Sequence, residues 1–175
     1  MTFVLQRHVC TLFFTGSTQR GLLSEQWLEW LAKAKNWASG TYTFHKTELG
    51  QPFLVVRGQR VHCSVSHAVG LTVIGLNHRA SIGVDAERID EVQDDANLFA
   101  TFFPSLASPT QSQGNNDFFL QHWTAREALL KARGTGFLDD KADLKWPEGA
   151  EAKSWIEKSG DHRWRISQIC LPNHA

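Results

Sequence analysis

The chain has 175 residues, 42% of them hydrophobic, and 18 Lys and Arg balance 18 Asp and Glu to a formal charge of +0. That length holds a sizeable core in one domain or two small fused halves, and the ordinary apolar and charged fractions exclude wholesale disorder. A balanced charge also excludes a protein that coats nucleic acid through a broadly basic surface, while leaving room for a local basic pocket.

The segment from Met1 to His8 lacks the cationic start and long apolar core of a secretory signal, and no later run reaches membrane-spanning length. Phe3 to Phe14 mixes β-branched and aromatic residues and stops at Gly16-Ser17, which predicts one strand. Ser24 as a cap, Glu25 in the first turn and Trp27, Leu28, Leu31 and Ala34 at helical spacing predict a helix that Gly40 ends. Thr41 to Phe44 predicts a short strand, and the turn residues Glu48 to Pro52 separate it from the apolar run Phe53 to Val56. Residues 60–66, 71–77 and 81–87 predict a three-stranded meander, broken at His67 to Gly70 and at Asn77 to Ala80.

Beyond Phe102-Phe103-Pro104 comes a polar stretch, Ser105 to Asp117, which predicts a long loop that is either functional or disordered. Trp123 to Gly134 predicts a buried helix. Its period puts Glu127 and Lys131 on one face with Leu120, Trp123 and Leu130, and Ala125, Leu129 and Ala132 on the opposite one. Trp155-Ile156 and His162 to Ile169, parted by Lys158 to Asp161, predict a hairpin. The expected fold is α+β, a single unit of residues 1–175 with two pseudo-symmetric halves, 1–78 and 79–175, each a helix packed on a small antiparallel sheet. The three cysteines, Cys10, Cys63 and Cys170, have no zinc-ligand spacing and read as reduced core residues. The expected location is the cytoplasm, with neither nucleic acid nor membrane as partner.

Three features carry chemistry. Asp85 and Glu87 project together from one face of a strand, beside Gly83, and two hard oxygen ligands on one face suit Mg²⁺, which fills its shell with water and phosphate oxygens. Ser66-His67 ends the first strand of the predicted meander, two strand spacings or roughly 10 Å from that acid pair. Glu127 is a carboxylate on an apolar stripe and offers a third acid. Each has a bland reading beside it. Glu127 and Lys131 could be a helical i,i+4 pair worth about 0.2–0.5 kcal/mol, Asp85 and Glu87 the wet face of a half-buried strand, and Ser66-His67 turn residues. Their conjunction in one short chain points to a phosphate site.

The motifs Cys63-Ser64-Val65-Ser66-His67, Ile82-Gly83-Val84-Asp85-Ala86-Glu87 and Trp123 to Phe137 (Trp-Thr-Ala-Arg-Glu-Ala-Leu-Leu-Lys-Ala-Arg-Gly-Thr-Gly-Phe) occur in that order, with Gly50-Gln51-Pro52 before them. Across this span, about half the chain, the sequence resembles the 4'-phosphopantetheinyl transferase superfamily, in particular its larger, single-chain pseudo-dimeric type. The resemblance implies transfer of the phosphopantetheine arm of coenzyme A to a serine of an apo acyl or peptidyl carrier protein, with release of 3',5'-ADP. It implies Mg²⁺ held by Asp85, Glu87 and Glu127, with Glu127 and His67 as the catalytic candidates and Glu127 deprotonating the serine. It implies coenzyme A phosphates bound by Ser66, His67 and Lys131. A monomer is expected, with the Ser105 to Asp117 loop docking the carrier.

The sequence departs from the family pattern in places. Members often have Asn where Ser64 stands, Lys where Arg126 stands and Lys where Gln51 stands, the last change removing a phosphate contact. A basic amino-terminal segment that reaches the coenzyme 3'-phosphate in longer members is not evident, and Arg20 and Lys46 are the substitutes at hand. Two other readings stay open: a non-catalytic coenzyme- or carrier-binding homologue, and a metal-dependent nucleotide diphosphate hydrolase using the same acids.

Overall fold

The computed structural model describes residues 2–6, 9–15, 24–90, 101, 103, 116–135 and 146–172. The chain is α+β, and among these residues it forms two antiparallel sheets and two helices. The strands are β1 (Thr2–Gln6), β2 (Val9–Thr15), β3 (Tyr42–Lys46), β4 (Pro52–Val56), β5 (Gln59–Ala68), β6 (Leu71–Asn77), β7 (Ile82–Arg88), β8 (Glu151–Ser159) and β9 (His162–Cys170); the helices are α1 (Ser24–Ala34) and α2 (Asn116–Arg133). The larger sheet runs β1-β2-β6-β5-β4-β3 and the smaller β7-β9-β8.

Strand β5 sorts the core because its side chains alternate between two different neighbours. Val61 and Cys63 point to one side, where Trp27 and Leu31 of α1 close over Leu54, Val56, Ile74 and Leu76. Leu31 and Leu54 are wholly buried there, each stabilising the fold by about 1.5–3 kcal/mol. On the other side Ala68, Leu71 and Val73 meet Val84, Ala86, Trp164 and Ile166 of the second sheet. Trp164 reaches back across that interface, its indole N–H donating to the Val69 carbonyl at 2.8 Å. The far face of the second sheet takes α2, with Ala128, Leu129 and Ala132 packed around Ile169. The layers are therefore α1, first sheet, second sheet, α2.

Two glycines set the spacing of these layers. A Cβ on Gly75 of β6 would lie 2.6 Å from Val84 Cγ1, and one on Gly83 of β7 would lie 1.8 Å from the Ala128 carbonyl oxygen. Gly83 thus admits the backbone of α2 directly onto the strand.

Several expectations are corrected. The single strand expected over residues 3–14 is two, β1 and β2, paired as a hairpin. Helix α1 ends at Ala34 with Asn36 at φ 52, and Gly40 shapes a later turn; asparagine tolerates the left-handed conformation that closes a helix. Strand β5 continues through Ser66 and His67 to Ala68, so these are strand residues and not turn residues. The meander stops at two strands, because β7 leaves the first sheet and pairs with β9 over Ile82↔Cys170 to Arg88↔Trp164. Asn116 and Asp117 open α2, while the rest of the expected loop, residues 105–115, lies outside the described residues, as do Arg20, Gly136 and Phe137. The hairpin expected near the carboxyl end is present as β8 and β9. Among the described residues no helix is long and apolar enough to cross a membrane.

Candidate active site

Because β7 is an edge strand of its sheet, part of its backbone must find partners outside the ladder. Serines of β5 supply them. Val84 N donates to Ser64 Oγ at 3.0 Å and Ala86 N to Ser66 Oγ at 3.2 Å. These contacts place β7 against β5 although the two strands belong to different sheets. They also replace the expected separation of about 10 Å by direct contact, since Ser66 Oγ donates to Asp85 Oδ1 at 2.9 Å.

Gly83 does the same for the helix. With no side chain in the way, α2 lies on β7 closely enough for Lys131 Nζ to reach Asp85 Oδ1 at 2.6 Å and Ser66 Oγ at 3.1 Å. The room beside the acids is thus filled by helix backbone. Asp85 is 5% exposed, which rules out the wet-face reading of that strand position. Its two oxygens differ sharply: Oδ1 takes both donors, while Oδ2 is buried with no hydrogen-bond partner among the described residues. Leaving a charged oxygen in that condition costs more than the roughly 1–3 kcal/mol of a neutral group.

Glu127 is buried one turn before Lys131 and pairs with Arg126, Nη1 to Oε1 at 3.2 Å. Burial and then the neighbouring Asp85 charge push its carboxyl above the ordinary glutamate range, against the opposing pull of Arg126 and Lys131. The two helix residues are therefore not the simple i,i+4 pair of the bland reading, because Lys131 is engaged with a strand acid while Glu127 pairs with Arg126 and feels that same strand acid. His67 adjoins the group: its Nδ1 lies 3.0 Å from Thr72 Oγ1, and burial together with Lys131 lowers its pKa. Glu87, half-buried, sits two residues beyond Asp85 on the α2-facing side of β7.

Of the sequence candidates, Ser66, Asp85 and Lys131 are in mutual contact, Glu127 and His67 are electrostatically coupled to them, and Glu87 shares their strand face. Among the described residues, no three His, Cys, Asp or Glu side chains converge as a ready-made metal site. The donors nonetheless suit a divalent cation. A buried, unsatisfied carboxylate oxygen and a second carboxylate whose protonation is favoured by the first are what such an ion relieves.

The roles of Ser64, Arg126 and Gln51 escaped sequence reading. Ser64 and Ser66 stand two apart on one face of β5, a polar pair that could have signalled a partner there. Arg126 is buried beside Glu127, and nothing in the helical period marks it. Gln51 donates through Nε2 to the Lys131 carbonyl at 2.9 Å, capping the end of α2. With Gly50, Pro52, Ser64, Lys131 and Gly134 it lines a cleft of about 250 Å³ that opens beside the Lys131–Asp85 pair.

Fold and site together define an α+β protein with an acid-and-ammonium centre at a strand–helix seam, next to a cleft. Residues 81–173, which span β7, α2, β8 and β9, match the model of the 4'-phosphopantetheinyl transferase superfamily. The chain belongs to that superfamily. It is 32% identical over 124 residues to slr0495 of Synechocystis sp., a protein assigned by name to the 4'-phosphopantetheinyl transferases; the match covers 67% of this chain and 50% of that one. It is 30% identical over 77 residues to the 4'-phosphopantetheinyl transferase HetI of Nostoc sp., covering 42% of this chain and 32% of HetI. The chain thus spans half or less of the curated relatives it matches.

Proposed function

We propose that this chain transfers the 4'-phosphopantetheine arm of coenzyme A to a serine of an apo acyl or peptidyl carrier protein, in a Mg²⁺-dependent reaction that releases 3',5'-ADP. The observation that carries the reading is the meeting of Ser66, Asp85, Lys131 and Glu127 at the β7–α2 seam. Asp85, Glu87 and Glu127 are assigned to hold the metal, which when bound would offset negative charge on the diphosphate. Lys131, Ser66 and His67 are assigned to the phosphates, and the adjoining cleft, with Gln51 and Ser64 in its wall, supports a place for the coenzyme beside them. Glu127 takes the proton of the carrier serine. Its raised pKa supports this role, because a stronger base removes a hydroxyl proton more readily. The serine oxygen then attacks the phosphorus that bears the pantetheine arm, and the bond to the departing 3',5'-ADP breaks. Orienting the two reactants in line is the main contribution of the seam.

The single-chain two-half form of the family and a monomeric state belong to the same proposal, with the boundary near residue 78. The gap between β6, which ends at Asn77, and β7, which starts the second sheet at Ile82, supports that boundary. The test is mass spectrometry of apo carrier proteins after incubation with coenzyme A and Mg²⁺. A mass gain of one phosphopantetheine, abolished by excess chelator, is the expected result. No gain on any carrier, or full transfer in chelator, contradicts it.

A further inference from the structure

We propose that Lys131 is an exchangeable internal cation: it neutralises Asp85 while no metal is bound, and a divalent cation arriving at Asp85 displaces its ammonium into the adjoining cleft, where it meets the anionic ligand. The inference rests on the metal and phosphate assignments above and adds an order of events to them.

Two ion pairs of this molecule differ in the way this requires. Arg165 holds Asp117 by both carboxylate oxygens, with Nη2 to Oδ2 at 2.6 Å and Nε to Oδ1 at 2.9 Å, as a fixed structural pair should. Lys131 holds Asp85 by Oδ1 alone and leaves Oδ2 buried without a hydrogen-bond partner among the described residues. The half-satisfied acid is fixed in place, its side chain 7% exposed on a strand, whereas the lysine side chain is 32% exposed. A lysine on a flexible four-carbon stem can move its charge where a buried strand aspartate cannot. Its destination is also present, because Lys131 itself lines the cleft with Gln51, Ser64 and Gly134. Breaking one salt bridge therefore prepares two sites at once, an acid for the metal and an ammonium for the anion. Each ligand then raises the affinity for the other by the same factor.

Covalent labelling reads the exchange directly. The full chain is treated with an amine-acylating reagent, labelling at Lys131 is quantified by mass spectrometry, and Mg²⁺ binding is measured by calorimetry on the same samples. Mg²⁺ alone should raise Lys131 labelling about fivefold or more, the low end of the range for coupled sites, and added coenzyme A should reverse the rise. Asp85→Asn should show high labelling without metal and no response to it. Mg²⁺ binding with unchanged Lys131 labelling in the unmutated chain overturns the exchange and leaves the metal assignment standing. Absence of Mg²⁺ binding overturns the metal assignment and the exchange with it.

Discussion

Helices α1 and α2 each cover one face of a sheet, yet they are built on different terms. In α1, Trp27, Leu31 and Ala32 are buried while Glu29, Trp30 and Lys33 face water, the ordinary division of a surface helix. In α2 the five consecutive residues Arg126, Glu127, Ala128, Leu129 and Leu130 are all buried, which leaves that stretch no wet face. A polar group in α1 can be satisfied by solvent. One in this part of α2 must be met inside the protein: Thr124 Oγ1 lies 2.7 Å from both the Leu120 carbonyl and Ser167 Oγ, Glu127 pairs with Arg126, and the half-buried Lys131 reaches Asp85. The comparison separates a helix that stabilises from a helix that also positions charge.

Substitutions can break that contrast from either side. The largest effect is expected at Gly83, where an added methyl must displace the α2 backbone; Gly83→Ala should cost about 4 kcal/mol or more, seen as loss of cooperative unfolding in denaturant. On the α1 side, Leu31→Ala should cost about 3 kcal/mol for the lost side chain and its cavity, while transfer by the folded fraction stays unchanged. A parallel fall in single-turnover transfer would show that the two helices are not separable.

Much of this was legible beforehand, and the boundary of what was legible is physical. The helical period of residues 120–134 and the alternation of residues 82–87 are local properties, so α2 and β7 could be read with their acids on the right faces. Which strand β7 pairs with is not local. Its partner β9 lies more than 70 residues further on, and alternation is the same whether a strand joins one sheet or another. Local pattern therefore yields a meander that places Ser66 and Asp85 at one sheet edge roughly 10 Å apart, where two sheets in fact bring them into direct contact. Gly83 was read as room beside the acids, but a glycine does not say what will fill the space it leaves; here it is the Ala128 carbonyl. Gln51 shows the same limit, because a contact 80 residues away along the chain leaves no mark on its neighbours.

Smaller effects sharpen the picture. Gln51→Ala removes a donor to the last turn of α2 and should cost about 0.5–1.5 kcal/mol, with weaker coenzyme binding if the end of the helix no longer holds Lys131 at the cleft; calorimetry alongside thermal melting checks both. His62 gives the smallest effect. Burial, and then Arg60, hold its pKa below the ordinary histidine range, so the unfolded chain binds a proton there before the folded one does. Stability from this group is present above the ordinary histidine pKa and lost as pH falls through that value toward the lowered one. His62→Gln should flatten the melting temperature profile over that window, and an unchanged profile would show that His62 does not contribute.

Glu127→Gln separates an acid of α2 that takes part in the chemistry from one that only stabilises the helix. Single-turnover transfer and melting temperature should be measured side by side on the variant and the unmutated chain. Transfer should fall roughly 100-fold or more, the contribution of a positioned general base. Stability should hold or rise, because a buried charge beside Asp85 has been removed. Near-normal transfer by the variant would contradict a catalytic role and return Glu127 to a structural one.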